Sequence, residues 1–327
     1  IQRYSMRLGK LTNEQLDSLI LSKFRHIRPE VICSPQIGVD CAAVDLGGRL
    51  AILSTDPITS ADKNLGRLTV HVSCNDAAAA GAEPLGLLVT LLIPPSATEE
   101  QVGRVADELA EAALLAHVDI IGGHTEVTDS VTRMVTCATV IARAGENGPV
   151  LPSGMRSGHD VVMTKFAALE GTAVIAEDFS ARLAGLTAVE LSTARGFLSE
   201  VSVVAEGLYA AAHGATAMHD VTEGGVFGAA WEMAQASGCG MELFEAAIPV
   251  HPVTAKICDL LGLNPYRLLS SGSMLIACPD GAAMCRGLGE LGIQAACIGR
   301  AGGEGVRLSD GTIVEPPEAD ELYRLFA

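Results

Sequence analysis

Aromatic residues are scarce in this chain, at 4% of 327 residues, although 49% of the residues are hydrophobic. Its cores must therefore be built from Ala, Val, Leu and Ile. Basic residues are also few: 22 Lys and Arg stand against 39 Asp and Glu, a net charge of −17. A surface of that sign repels phosphate backbones, so nucleic acid is not an expected partner. A single nucleotide stays open if metal ions screen its phosphates. No apolar run approaches the roughly 20 residues that span a bilayer. No basic amphipathic stretch suits a membrane surface either. The beginning, Ile1-Gln2-Arg3-Tyr4, has no signal-peptide pattern, and a cytoplasmic location is expected. The nine Cys are scattered without a CxxC pair, which excludes a zinc ribbon and a disulfide framework and leaves buried free thiols. There is no GxxxxGK[ST] run, so a P-loop is excluded, and Gly122-Gly123 is no dinucleotide fingerprint.

Glycine, by contrast, is abundant, with 35 residues, as many tight strand–helix turns require. The length suggests two domains, each with its own core. Arg49 to Thr55 reads as a strand running into Asp56. Residues 65–80 read as a helix stopped by Gly81. Leu85 to Ile93 is an apolar strand ended by Pro94-Pro95. Thr98 then starts a helix with Gln101 as capping-box partner, and Val102, Val105, Leu109, Ala112 and Ala116 form its apolar stripe. Strands are expected at 118–121 and 134–141. The segment from Arg143 to His159, rich in Gly, Pro and Ser, reads as a linker. Beyond it, strands are expected at 161–164, 274–278 and 295–298, and helices near 198–213, after Gly224-Gly225, near 253–261 and near 281–291. This alternation suggests two α/β or α+β domains, 1–148 and 155–327.

Two glycine-hinged polar runs stand out: Ile121-Gly122-Gly123-His124-Thr125-Glu126-Val127 and His219-Asp220-Val221-Thr222-Glu223-Gly224-Gly225. Both read as turns at element ends, and together they suggest one composite site. His124 could bind a metal or move protons, and Glu126 could be a base or a metal anchor. In the second run, free N–H groups at a helix start favour an anion near Gly224, while Asp220 or Thr222 could equally cap the helix. Asp76 shares a helix face with Leu68 and Val72, four residues apart, so it should be buried. A buried carboxylate needs a cation, a metal ion or several hydrogen bonds, or it caps a neighbouring loop. Asp40 and Asp56 are further acids at element edges. With Asp76 they make a Mg²⁺ site plausible, and Mg²⁺ would reconcile an acidic protein with a phosphorylated ligand.

These blocks, in this order, resemble the AIR synthase (PurM-like) superfamily over residues 35–305. The blocks are Asp40-Cys41-Ala42-Ala43-Val44, Ser54-Thr55-Asp56, Gly66-Arg67-Leu68 with Asn75-Asp76 and Gly81-Ala82-Glu83-Pro84, Gly122-Gly123-His124-Thr125, and Asp220 through Gly225. Within the superfamily the chain most resembles the hydrogenase maturation factor HypE group, through Gly238-Cys239-Gly240-Met241-Glu242-Leu243, Ala247-Ile248-Pro249-Val250 and Cys258 to Leu263. The resemblance implies a two-domain α+β fold. Its N-terminal ferredoxin-like α/β domain would form a β-barrel in a homodimer, and an α+β domain would follow. It implies ATP and Mg²⁺, with Asp40, Asp56 and Asp76 as metal residues, and Asn75, Thr125, Asp220 and Gly224 toward the nucleotide. His124 and Glu126 would then be the substrate-specific catalytic pair.

Several positions depart from the family pattern. Cys41 follows Asp40 where the kinases of the superfamily have a second Asp. His124 stands where several relatives have Asp or Glu, and Glu126 where HypE proteins have Lys. Ser271-Gly272-Ser273 replaces Glu-Gly-Lys. The sequence ends Tyr323-Arg324-Leu325-Phe326-Ala327 rather than in the Cys that HypE proteins modify. The expected activity is ATP- and Mg²⁺-dependent activation of an amide or carbonyl oxygen by phosphoryl transfer. The alternatives are a non-catalytic nucleotide-binding scaffold for another maturation protein, and a kinase similar to thiamine-monophosphate kinase.

Overall fold

The computed structural model describes residues 13–14, 29–33, 37, 39, 41–59, 63–316 and 319–326. The first half contains β1 (Val31–Cys33), β2 (Ala42–Asp45), β3 (Leu50–Ile58), α1 (Leu65–Ala79), β4 (Ala82–Ile93), α2 (Glu99–Ala116), β5 (Asp119–Val127) and β6 (Val135–Ala144). Its six strands form one mixed sheet in the order β1-β2-β3-β6-β4-β5. The β4–β5 pair is parallel and the others are antiparallel. Both helices cover the same face. Ile52, Leu87, Val89 and Val140 from the strands meet Val70, Ala77 and Ala112 from the helices in a core without aromatic rings. Among the described residues nothing covers the opposite face, and Leu85 and Leu88 are exposed on it.

The second half contains β7 (Asp160–Thr164), α3 (Leu169–Asp178), α4 (Ala188–Gly196), α5 (Val204–Ala212), β8 (Ala217–Val221), α6 (Gly225–Ser237), β9 (Met241–Leu243), α7 (Pro252–Leu261), β10 (Ser273–Cys278), α8 (Gly281–Glu290), β11 (Ala295–Ala301) and β12 (Val306–Leu308). Its sheet runs β12-β9-β11-β7-β10-β8, mostly antiparallel, with β12 parallel to β9. On one face Val226 and Met233 of α6 pack on Val161, Leu243 and Leu275. On the other, Met284 and Leu288 of α8 pack on Val162, Met218 and Ile276. The fold is therefore two α+β halves, each built on a mixed six-stranded sheet.

Helix α1 joins the two halves. Val70, Cys74 and Ala77 face the first sheet. Leu68 and Val72 pack on Leu169, Phe197 and Val201, while Ala78 and Ala79 pack on Met218. Being enclosed on all sides, α1 also buries Thr69, His71, Ser73, Asn75 and Asp76. A helix buried all round shows no polar face, and each of its polar side chains must find a partner. The stretch expected to be a linker is packed as well. Residues Pro152–Gly154 form a 3₁₀ turn, and Met155 is fully buried.

Local signals mark several boundaries. The Thr98–Gln101 capping box is formed, and Gly81 follows α1 at φ 68°. Helices α3 and α4 fall in a stretch without an assigned element, although the Thr187–Glu190 capping box starts α4. The two glycine-rich runs depart from the expected turns. The first is the body of strand β5, which continues through Val127 beside β4. Its glycines serve a bulge there. One extra residue, Ile121, sits between the pairs Leu87–Ile120 and Leu88–Gly122. Gly123, at φ 144°, comes so close to β4 that a Cβ would stand 1.8 Å from the Val89 carbonyl oxygen. In the second run, His219, Asp220 and Val221 belong to β8, and only Thr222 to Gly224 turn.

Candidate functional site

Asp76 is 3% exposed on α1, at the seam between the halves. Ser54 of β3 donates its hydroxyl to Asp76 Oδ2 at 2.5 Å, and the Cys41 thiol donates to the Asp76 carbonyl at 3.2 Å. Together with Val39, Cys41, Ala79, Ala80, Val150, Leu151, Pro152, Met218 and His219, Asp76 lines a small, shallow cleft that opens to solvent. No reactive thiol adjoins it at Cys74, which burial, and then the charge of Asp76, push up to about 12.

Across the seam stands β8, all five residues of which are buried. Met218 belongs to the cluster containing Ala78 and Ala79 of α1. Side chains two apart on a strand share a face, so Asp220, 2% exposed, is also on the face turned to α1. His219 points the other way, toward α6. Its Nδ1 lies 2.7 Å from the Asp220 carbonyl oxygen and its Nε2 lies 3.2 Å from Glu232 Oε2. The one sign of His219 in the sequence is its place directly before Asp220.

The turn after β8 is held from the far end of the chain. Gly224 N–H donates to Asp320 Oδ2 at 2.8 Å, and Tyr323 Oη donates to Glu223 Oε1 at 3.0 Å. The carboxylate of Asp320 thus already occupies the anion position expected at Gly224. Burial pushes Asp320 up to about 6. Glu170, at the start of α3, is pushed up to about 7, first by burial, with Asp320 and Glu223 adding repulsion against the hydrogen bonds from Ser271. Among the described residues its Oε2 has no hydrogen-bond partner.

The remaining expected residues are dispersed. Asp56 is half-buried on β3 and shares the α1-facing side with Ser54. Asp40 lies outside the described residues. Asn75 is beside Asp76 and 1% exposed, with both ends of its amide bonded to backbone of the second half. Thr125 lies opposite Leu91, on the helix-covered side of edge strand β5. His124 and Glu126 lie opposite Thr90 and Leu92, on the uncovered side. They pair with each other, Nε2 to Oε2, at 3.6 Å, and their side chains are 67% and 57% exposed. Within one chain, then, the sheet separates His124 and Glu126 from Asp76 and Asp220.

Among the described residues, no three His, Cys, Asp or Glu side chains form a preformed metal cage. Mg²⁺ usually keeps several waters and takes one or two carboxylates together with substrate phosphates. Asp76 and Asp220, buried on facing surfaces with Asp56 nearby on the α1 side of β3, fit that donor chemistry. Among the described residues, no helix is long and apolar enough to cross a membrane.

Comparison with known proteins gives consistent matches. The N-terminal and C-terminal domain models of the AIR synthase related protein family match residues 38–144 and 156–310. The carbamoyl dehydratase HypE of Bradyrhizobium diazoefficiens is 32% identical over 258 residues, which span 75% of this chain and 71% of that protein. The crystal structure of E. coli HypE is similar at TM-score 0.74 and 25% identity, covering 95% of this chain and 99% of that one. A HypE–HypF complex matches at TM-score 0.71 and 24% identity, covering 84% and 93%. HypE in complex with ATP matches at TM-score 0.68 and 21% identity, covering 96% and 97%.

Proposed function

This chain belongs to the AIR synthase related family, and from that premise we propose that it is an ATP- and Mg²⁺-dependent enzyme. It activates an amide or carbonyl oxygen by phosphoryl transfer, as a relative of the carbamoyl dehydratases to which it is similar. The supporting observation is Asp76: a carboxylate 3% exposed, oriented by Ser54, lining a cleft opposite β8. Two acids buried on facing surfaces offer hard oxygen donors to a divalent cation between them. Mg²⁺ carried by a nucleotide supplies that cation and offsets the negative charge of the phosphates. Asp76, Asp220 and Asp56 would hold it, with Asp40. The phosphates would enter from solvent at the cleft, since Gly224 N–H is occupied by Asp320. Thr125 belongs to the nucleotide side of β5. A HypE protein solved in complex with ATP is in keeping with this cofactor.

The working unit is a homodimer. The uncovered face of the first sheet exposes Leu85 and Leu88, and β5 exposes Ile120 and Ile121. Closing that face against a second copy as a β-barrel removes apolar surface and the free edge of β5. His124 and Glu126 lie on that same face, so the second copy closes over them and they sit at the dimer contact rather than in the Asp76 cleft. The two halves, 1–148 and 155–327, are the domains of this reading.

The test is phosphate release from Mg²⁺-ATP. Asp76→Asn is expected to abolish it and to weaken Mg²⁺-dependent nucleotide binding; unchanged turnover would sink the assignment. A second reading, a nucleotide-binding scaffold for another maturation protein, is favoured by the exposed His124–Glu126 pair, which replaces a cation with an anion at position 126. A HypE–HypF complex shows that kind of association in a relative. ATP binding by calorimetry without phosphate release, with candidate partners present, would select it.

A further inference from the structure

Asn75 has a geometry that direct nucleotide binding does not explain. Its Nδ2 donates to the Val201 carbonyl at 2.7 Å, and its Oδ1 accepts from the Val203 N–H at 2.8 Å. The side-chain amide thus stands in for a peptide unit, bonding an irregular stretch of the second half from a helix of the first. Val201 and Val203 are fully buried, so no water competes for these bonds.

The same stretch is gripped from its other side. Lys165 Nζ donates to the carbonyls of Glu200 and Ser202, at 2.9 and 2.5 Å, and pairs with Glu206 Oε1 at 2.8 Å. Lys165 itself holds φ 52°, a conformation uncommon for a residue with a side chain. Four successive residues, 200 to 203, are therefore held alternately by Lys165 and Asn75. Just beyond, α5 lies directly on the backbone of α1: a Cβ at Gly207 would stand 2.2 Å from the Ala78 carbonyl oxygen. His71, one turn before Asn75, stays neutral down to about 4, because burial, then Arg67 and Lys165, oppose its charge. No second cation loosens the seam near neutral pH.

We propose that Asn75 is a positioning residue. It locks α1 to the 200–203 segment, and so holds Asp76, its chain neighbour, at a set distance from Asp220 on β8. It does not touch the nucleotide. The functional consequence rests on the phosphoryl-transfer reading above; the lock itself does not.

Two variants and two measurements test it. Asn75→Ala removes both bonds. Asn75→Asp keeps the acceptor for Val203 N–H but sets a carboxylate oxygen against the Val201 carbonyl. Hydrogen exchange at the Val203 amide is expected to quicken about tenfold or more in both variants at pH 8. In Asn75→Asp, protection returns on acidification, because the protonated carboxyl again offers a donor to Val201. Calorimetry then separates positioning from contact. Affinity for ATP without Mg²⁺ should stay within about threefold of the unmodified protein. The Mg²⁺-dependent gain in affinity and kcat should both fall by about tenfold or more. An equal loss of ATP affinity with and without Mg²⁺ would make Asn75 a direct ligand and overturn the proposal. Unchanged Val203 exchange in folded Asn75→Asp would overturn the lock. If the unmodified protein binds no ATP, the phosphoryl-transfer reading fails, and the exchange data still decide the lock.

Discussion

Replacing Glu170 by Gln should make the protein more stable above neutral pH and leave it nearly unchanged near pH 5. Glu170 is 7% exposed, and among the described residues its Oε2 has no hydrogen-bond partner. Burial, with repulsion from Asp320 and Glu223, raises it from 4.5 to about 7. The folded protein thus holds a proton that the unfolded chain releases. A group shifted in this direction contributes stability below pH 4.5, and that contribution is lost as pH rises toward 7. A shift of about 2.5 units at 1.36 kcal/mol each corresponds to roughly 3 kcal/mol lost by pH 8. Gln resembles the protonated carboxyl at every pH, so it avoids this loss. Asp320, raised to about 6, titrates in both proteins and largely drops out of the difference. Urea unfolding of both proteins at pH 5, 6, 7 and 8 measures the effect. The difference should open by about 2 kcal/mol in all between pH 5 and 7, and then level off. A constant difference, or a variant weaker at pH 8, would show that Glu170 is ionised in the folded protein and that the buried site carries its charge.

Two further outcomes follow from the sheet geometry. If the uncovered face closes against a second copy, His124→Glu, which sets two acids together at that contact, should raise the dimer dissociation constant about tenfold or more in sedimentation experiments; an unchanged dimer would refute the contact. Gly123→Ala should cost about 3 kcal/mol or more in chemical unfolding, since its Cβ would overlap the Val89 carbonyl. A change under 0.5 kcal/mol would mean that β5 can leave β4 at little cost.

Local chemistry carried much of the fold. The Thr98–Gln101 capping box, the Gly81 stop and the strand ending at Pro94 were all readable, because each is decided within one turn or one strand end. The stretch 169–196 was harder. Helix α3 begins after Ala168 at φ 61° with no capping side chain, so packing rather than a start signal places it. The run at 121–127 misled for a physical reason. Glycine permits a turn and a close strand contact equally well, and only the position of Val89 shows which of the two is needed.

The sequence by itself determined that Asp76 is buried, because Leu68 and Val72 stand at helical spacing on the same face. It also determined the family, because the order of several short blocks survives where individual residues have changed. Tertiary structure alone decided what those residues face. The partners of Asn75 lie 126 and 128 positions away, and Asp320 reaches back 96 positions to Gly224. The side of the sheet carrying His124 depends on the register of β5 against β4, where one bulged residue reverses every side chain beyond it. Such pairings follow from how packed layers meet, a property of distant segments together that spacing along the chain does not encode.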